Sequence, residues 1–209
     1  MRLAAAALVA IAAAALPSVA EAGMIKFGSS LNAPANKAEA HPVDAVFWAN
    51  KLPGGARVSA PERGKVTTIK LKGSAVKHGS TDPVTLFHFQ ILHPIAGGKV
   101  KVSLTSGPFH VPVGGNQNRI TTYHPVNLCA KKGDFVAFND VGGYKAGKYP
   151  KGTPFRVFSS VPAATTNFFS KAGATGNNRE FKGAPHVGEE LLMRMTLATG
   201  QDAGYCRNH

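Results

Sequence analysis

Residues 84–92 alternate along the chain. Phe87, Phe89 and Ile91 fall on one face of an extended strand, and His88 and Gln90 fall on the other. Gly97-Gly98 turns the chain into a second alternating run, in which Val100, Val102 and Leu104 oppose Lys99, Lys101 and Ser103. Two period-two arms joined by a glycine turn predict a β-hairpin. A strand with one apolar face must cover that face with a second layer, and this favours a sheet packed on another sheet.

The same grammar repeats on both sides. Residues 44–49 hold Val46, Phe47 and Trp48, the single tryptophan, and read as a strand ended by Pro53-Gly54-Gly55. Residues 66–71, 119–123 and 155–158 read as further strands. In residues 189–199, Leu191, Met193, Met195 and Leu197 alternate with Leu192, Arg194 and Thr196, so period two outweighs the helix propensity of Glu, Leu and Met. Residues 124–140 place two short extended runs around Lys131-Lys132-Gly133-Asp134 and predict a central hairpin. Residues 163–186 look irregular and polar. The expected fold is all-β: one antiparallel β-sandwich domain, jelly-roll-like, over residues 44–200. Residues 23–43 read as an irregular lead-in and 201–209 as a tail.

The first 22 residues have a different character. Arg2 precedes the apolar run 3–16, Pro17 breaks it, and Ala20-Glu21-Ala22 fits an A-x-A cleavage pattern. The run is shorter than the roughly 20 residues that span a bilayer, so a cleaved secretory signal and an extracellular protein are expected. No later segment is long and apolar enough to cross a membrane. The whole chain carries a formal net charge of +13. Cleavage removes one basic and one acidic residue, Arg2 and Glu21, and leaves that balance unchanged. A basic exported domain favours anionic partners such as phosphate-bearing wall polymers, acidic glycans or lipid headgroups.

Export also bears on Cys129 and Cys206, the two cysteines. In an oxidising compartment they make one pair that would tie the tail to the 124–140 stretch, and closing that loop is worth about 4.5 kcal/mol in the chain-entropy model. A free thiol or a metal ligand is the competing reading.

Motifs for catalysis and metals are sparse. The eight histidines (His41, His78, His88, His93, His110, His124, His186 and His209) show neither HxH nor HExxH spacing. Asp134, Asp140, Glu180, Glu189 and Glu190 are the carboxylates available to a hydrolase, and their spacing selects no pair. Asp134 reads as a turn cap, and Glu189 and Glu190 as the opening of a strand. Asn139 and Asp140 offer hard oxygens for Ca²⁺, with a turn cap as the alternative. No nucleophile elbow, P-loop or dinucleotide fingerprint occurs, and no cofactor is expected.

Residues 142–154 have the composition of a binding loop. Lys145 and Lys148 supply charge, Tyr144 and Tyr149 supply stacking faces, and the glycines let backbone approach a ligand. A solvated loop has the same composition. Trp48 is a further stacking platform for sugar, or else a core plug.

The succession SAPERGKVTTIKLKGSAV, FHFQIL, KVKVSLTSGPF, HPVNLCAKKGDFVAFNDVGGY, YPKGTPFRVF and EELLMRMTLATG, over most of residues 58–200, resembles a group of exported actinobacterial proteins. An early glycine-turn strand and a later K-x-G-D-x-V stretch are also similar to galactose-binding-like jelly-roll modules. That likeness implies a sandwich and suggests glycan binding. The expected function is therefore a non-enzymatic exported protein that binds a cell-envelope or extracellular glycan or other anionic polymer. Tyr144, Lys145, Lys148, Tyr149 and Trp48 would be its contacts. Nucleic acid suits an exported chain less well. An extracellular polysaccharide hydrolase and a structural or adhesive surface protein held by charge are the alternatives.

Overall fold

The computed structural model describes residues 23–140 and 149–207. The expected signal segment therefore lies outside the described residues. In chain order the strands are β1 (Met24–Gly28), β2 (Lys37–Glu39), β3 (Ala45–Lys51), β4 (Gly64–Lys72), β5 (Ser74–Ala75), β6 (Leu86–Ile95), β7 (Lys99–Thr105), β8 (Phe109–His110), β9 (Ile120–Tyr123), β10 (Cys129–Ala130), β11 (Phe135–Asp140), β12 (Phe155–Ser170), β13 (Glu180–Phe181), β14 (Ala184–Leu191) and β15 (Met193–Ala198). A 3-10 segment, Gly200–Arg207, follows.

They form an antiparallel sandwich. The smaller sheet runs β1-β15-β4-β10, with β9 also on β4, and the larger runs β13-β7-β6-β11-β3-β12-β14, with β2, β5 and β8 on its flanks. Phe27, Val66, Ile69, Leu71, Met193, Met195 and Leu197 from the first meet Phe47, Phe87, Phe89, Ile91, Val136, Phe138 and Val157 from the second in one buried core. Thus the alternating residues of 87–91 and 193–197 point into the same layer, as their period requires. The hairpin predicted at Gly97-Gly98 is present, with β6 and β7 paired from Gln90↔Thr105 to Ile95↔Lys99.

The stretch 124–140 is not a hairpin. Its first arm, β10, pairs with β4 of the smaller sheet, while its second, β11, pairs with β6 and β3 of the larger one. The turn between them is a corner that carries the chain from one layer to the other. Asp134 Oδ2 accepts the Lys131 backbone N–H at 2.8 Å, and Gly133 takes a φ of 91° there. The corner is anchored to Ala60 by two backbone bonds, Ala60 N–H to Asp134 O and Gly133 N–H to Ala60 O.

Two more sheet changes sit side by side. Gly73 links β4 to β5 with a φ of 136°, and a Cβ there would stand 1.9 Å from the Arg156 carbonyl oxygen. Leu192 links β14 to β15, donates its N–H to Val157 O and accepts the Lys72 N–H. The single terminal strand expected over 189–199 is thus two strands in different sheets.

Residues 23–43 are more ordered than expected. β1 pairs along β15 and β2 along β12, so both ends of the lead-in are sheet strands. Between them, Lys72 Nζ donates to Leu31 O and Ala33 O, and the Ala35 N–H donates to Asn118 Oδ1. Residues 163–186 also depart from expectation. β12 continues to Ser170, and its pairing with β14 shifts register between Ser160 and Thr165, where Pro162 cannot donate a ladder bond. The chain then crosses the outer face of the larger sheet. There Trp48, Leu92, Val100, Val102 and Phe181 form a second, smaller core.

Cys129 and Cys206 are bonded, with Cα atoms 5.2 Å apart. Among the described residues, no helix is long and apolar enough to cross a membrane.

Candidate functional site

A groove of about 350 Å³ opens where the corner at 131–134 meets strands β6 and β7. His93, Lys101, Ser103, Leu104, Lys131 and Asn178 line it around the Cys129 disulfide and Asp134. Lys131, His93, Ser103 and Asn178 are exposed, and Lys101 is half-buried. Strand alternation explains the lining: on β7, Val100 and Val102 pack into the second core, so Lys101 and Ser103 turn to the opposite face. His93 stands directly opposite Lys101 in the ladder.

The groove's own acid is already engaged. Asp134 is 2% exposed, its Oδ1 lies 2.7 Å from His93 Nδ1, and its Oδ2 caps the Lys131 N–H. The Lys101 and Lys131 ammonium groups have no carboxylate within ion-pair distance among the described residues. In the chain, exposed Lys132 follows Lys131 and exposed Arg179 follows Asn178, while exposed Glu180 is paired across from Lys101. The result is an electropositive groove with hydroxyl and amide groups at its edge.

Of the five residues expected to bind ligand, Tyr149 and Trp48 are among the described residues, and both are buried. Tyr144, Lys145 and Lys148 lie outside the described residues. Tyr149 is 1% exposed, so its ring offers no stacking face. Its hydroxyl accepts the His78 N–H at 3.0 Å and donates to Thr81 O at 2.8 Å, which makes it an anchor for the 78–81 turn. Trp48 is 2% exposed and packs against Phe181, with rings 6.0 Å apart. It is a core plug, because the returning chain at Gly183 lies over its ring: a Cβ at Gly183 would come within 2.4 Å of the indole.

Asn139 and Asp140 are also buried, as the last two residues of β11. Asn139 Nδ2 donates to Ala45 O at 3.3 Å. Both side chains are buried at the end of β11, and the loop that would supply carbonyls to Ca²⁺ lies outside the described residues. The Phe87 and Ala45 ladder partners flank Asp140.

A second polar constellation was not legible in the sequence. Glu189, expected at a strand opening, is 1% exposed within β14. Lys37 Nζ reaches Glu189 Oε2 at 2.5 Å and Glu39 Oε1 at 3.2 Å. His186 Nδ1 lies 3.4 Å from Glu189 Oε1. His41 Nε2 lies 3.8 Å from Glu39 Oε2, an electrostatic contact longer than a hydrogen bond. Phe168 packs against both imidazoles, with ring centroids 4.5 Å from His41 and 5.1 Å from His186.

The two carboxyls are driven apart electrically. The His41 imidazole, together with Lys37, holds Glu39 down at about 2 against the burial that opposes it. Burial pushes Glu189 up despite the Lys37 ammonium, and the Glu39 charge adds to that rise. Burial works against the Lys37 charge too, but Glu189 and Glu39 outweigh it and raise its pKa. Glu190, the neighbouring carboxylate, is likewise buried and accepts the Ser29 hydroxyl at 2.6 Å.

Comparison with family models, with curated proteins and with solved structures gives no match. The reading of function therefore rests on the groove, the polar cluster and the charge of the chain.

Proposed function

We propose that this is an exported, non-enzymatic binding protein for an anionic polymer of the cell envelope or extracellular matrix, and that the groove between the 131–134 corner and β7 is its contact surface. The observation that carries the reading is the state of Asp134. Its carboxylate is held by His93 and the Lys131 backbone, so Lys101 and Lys131 face solvent without a carboxylate partner among the described residues. Two ammonium groups beside Ser103 and Asn178 suit a sulfate, phosphate or uronate carrying neighbouring hydroxyls. The +13 charge would draw such a polymer from a distance. The disulfide and the secretory-type N-terminus support export.

The test is retention of the mature chain on immobilised polyanionic and neutral polysaccharides across a salt series. The reading predicts retention on the polyanion alone, weakening as salt screens the groove. Lys101→Gln with Lys131→Gln should shift elution to markedly lower salt. Equal retention on the neutral matrix, or an unshifted double variant, overturns the assignment. Turnover of either polymer would favour the hydrolase alternative.

A further inference from the structure

We propose that Glu39, His186 and Glu189 form a binding site for a single divalent transition cation of the zinc class, with Lys37 as the internal counter-ion that the metal displaces. The ligand atoms of these three residues lie within 4.8 Å of one another. They reach one place from distant parts of the chain: β2 and β14 both pair with β12, and its register shift falls beside them. Ligands held at zinc distances stand about 3.4 Å apart in a tetrahedron, so modest rotation of the half-buried Glu39 and His186 side chains closes the set. Glu189 is fixed by the sheet.

The donor set selects the cation. One imidazole and two carboxylates match zinc or its borderline neighbours, whereas Ca²⁺ takes oxygen alone. Lys37 already shows that a cation belongs here, since its ammonium touches both carboxylates. One positive charge, however, stands against two carboxylates. Glu189 Oε2 rests on the Lys37 ammonium, and shielded His41 Nε2 takes no hydrogen bond. A dication satisfies both carboxylates at once and leaves His41 behind Glu39 as its electrostatic support.

Access is open as well. The side chains of Lys37 and His186 are 40% and 29% exposed, so the ammonium can swing to water while a hydrated ion enters. Phe168 stacks on the His186 ring and covers its apolar face. Zinc with three protein ligands keeps a position for water or a ligand atom.

The experiment is calorimetric titration of the disulfide-bonded mature chain with ZnCl₂, and separately with CaCl₂, followed by Co²⁺ absorption spectra. One Zn²⁺ per chain is expected, with no Ca²⁺ binding at the concentrations where zinc saturates. His186→Gln should weaken zinc at least tenfold. Lys37→Met should tighten it at least tenfold, because the competing ammonium is gone. That gain separates a metal site from a purely structural ion pair, whose loss only lowers stability. Should His186→Gln fail to fold, the Lys37→Met result decides. The proposal is overturned by undiminished zinc binding in folded His186→Gln, by unchanged or weaker binding in Lys37→Met, or by a preference for Ca²⁺.

Discussion

His93 Nδ1 and Asp134 Oδ1 lie 2.7 Å apart, and this contact joins the second strand layer to the corner that leads into it. The same carboxylate caps Lys131 and is nearly fully buried. One side chain thus closes a turn, orients an imidazole and leaves two lysines of the groove without a carboxylate partner. Asp134→Ala should therefore act in opposite directions on two observables. Losing a buried, doubly used acceptor costs about 1–3 kcal/mol in urea unfolding. Removing a negative charge from the groove should tighten binding to a polyanion at low salt.

The corner also shows why part of the fold was readable and part was not. Phe87, Phe89, Ile91, Val100 and Val102 announced their strands because alternation is local. Residues 124–140 announced two extended arms and a turn with equal clarity. A hairpin and a sheet-changing corner share that local signature, however, and only the partners of Cys129 and Val136, on β4 and β6, tell them apart. Glu189 and Glu190 misled for a related reason. Charged residues at a strand read as exposed until partners as remote as Lys37 and Ser29 are known. The glycine-rich loop drew attention by composition, yet Tyr149 is buried by its bonds to the 78–81 turn.

Trp48 provides a sharp packing test. Gly183→Ala would push a methyl group against the indole, with no room to accept it. Overpacking of this kind costs about 1–3 kcal/mol. Because Trp48 is the single tryptophan, its fluorescence should report the change directly. Polyanion binding, measured on the fraction that remains folded, should stay as in the parent protein. A loss of binding without a loss of stability would return Trp48 to the site.

Tyr123 sets an alkaline limit on stability. Its ring is buried among Phe87, Phe89 and Phe109, and its hydroxyl donates to His110 O at 3.0 Å. Burial pushes the phenol up to about 12 from its ordinary 10. The folded state thus holds this proton more tightly than the unfolded chain does. Its contribution, about 2–3 kcal/mol, is fully present below pH 10 and is lost as pH rises through 12. Tyr123→Phe should flatten the fall in unfolding free energy between those values. Parallel curves for the two proteins would contradict the assignment.

The Cys129–Cys206 bond ties the C-terminal 3-10 segment to the groove strand β10. Replacing both cysteines by serine should lower stability by about 4–5 kcal/mol in the chain-entropy model. Guanidinium unfolding of the double variant beside the parent measures this. A loss below about 1 kcal/mol would mean that the sheets hold the segment without the covalent link.

The most direct measurement for the central claim is an NMR titration of the isotope-labelled mature chain with a short sulfated or uronic-acid oligosaccharide. The account predicts saturable amide shifts centred on His93, Lys101, Ser103, Lys131 and Asn178, fading as salt rises. Shifts centred on residues 142–154 with a silent groove, or no saturable shifts at low salt, would contradict it.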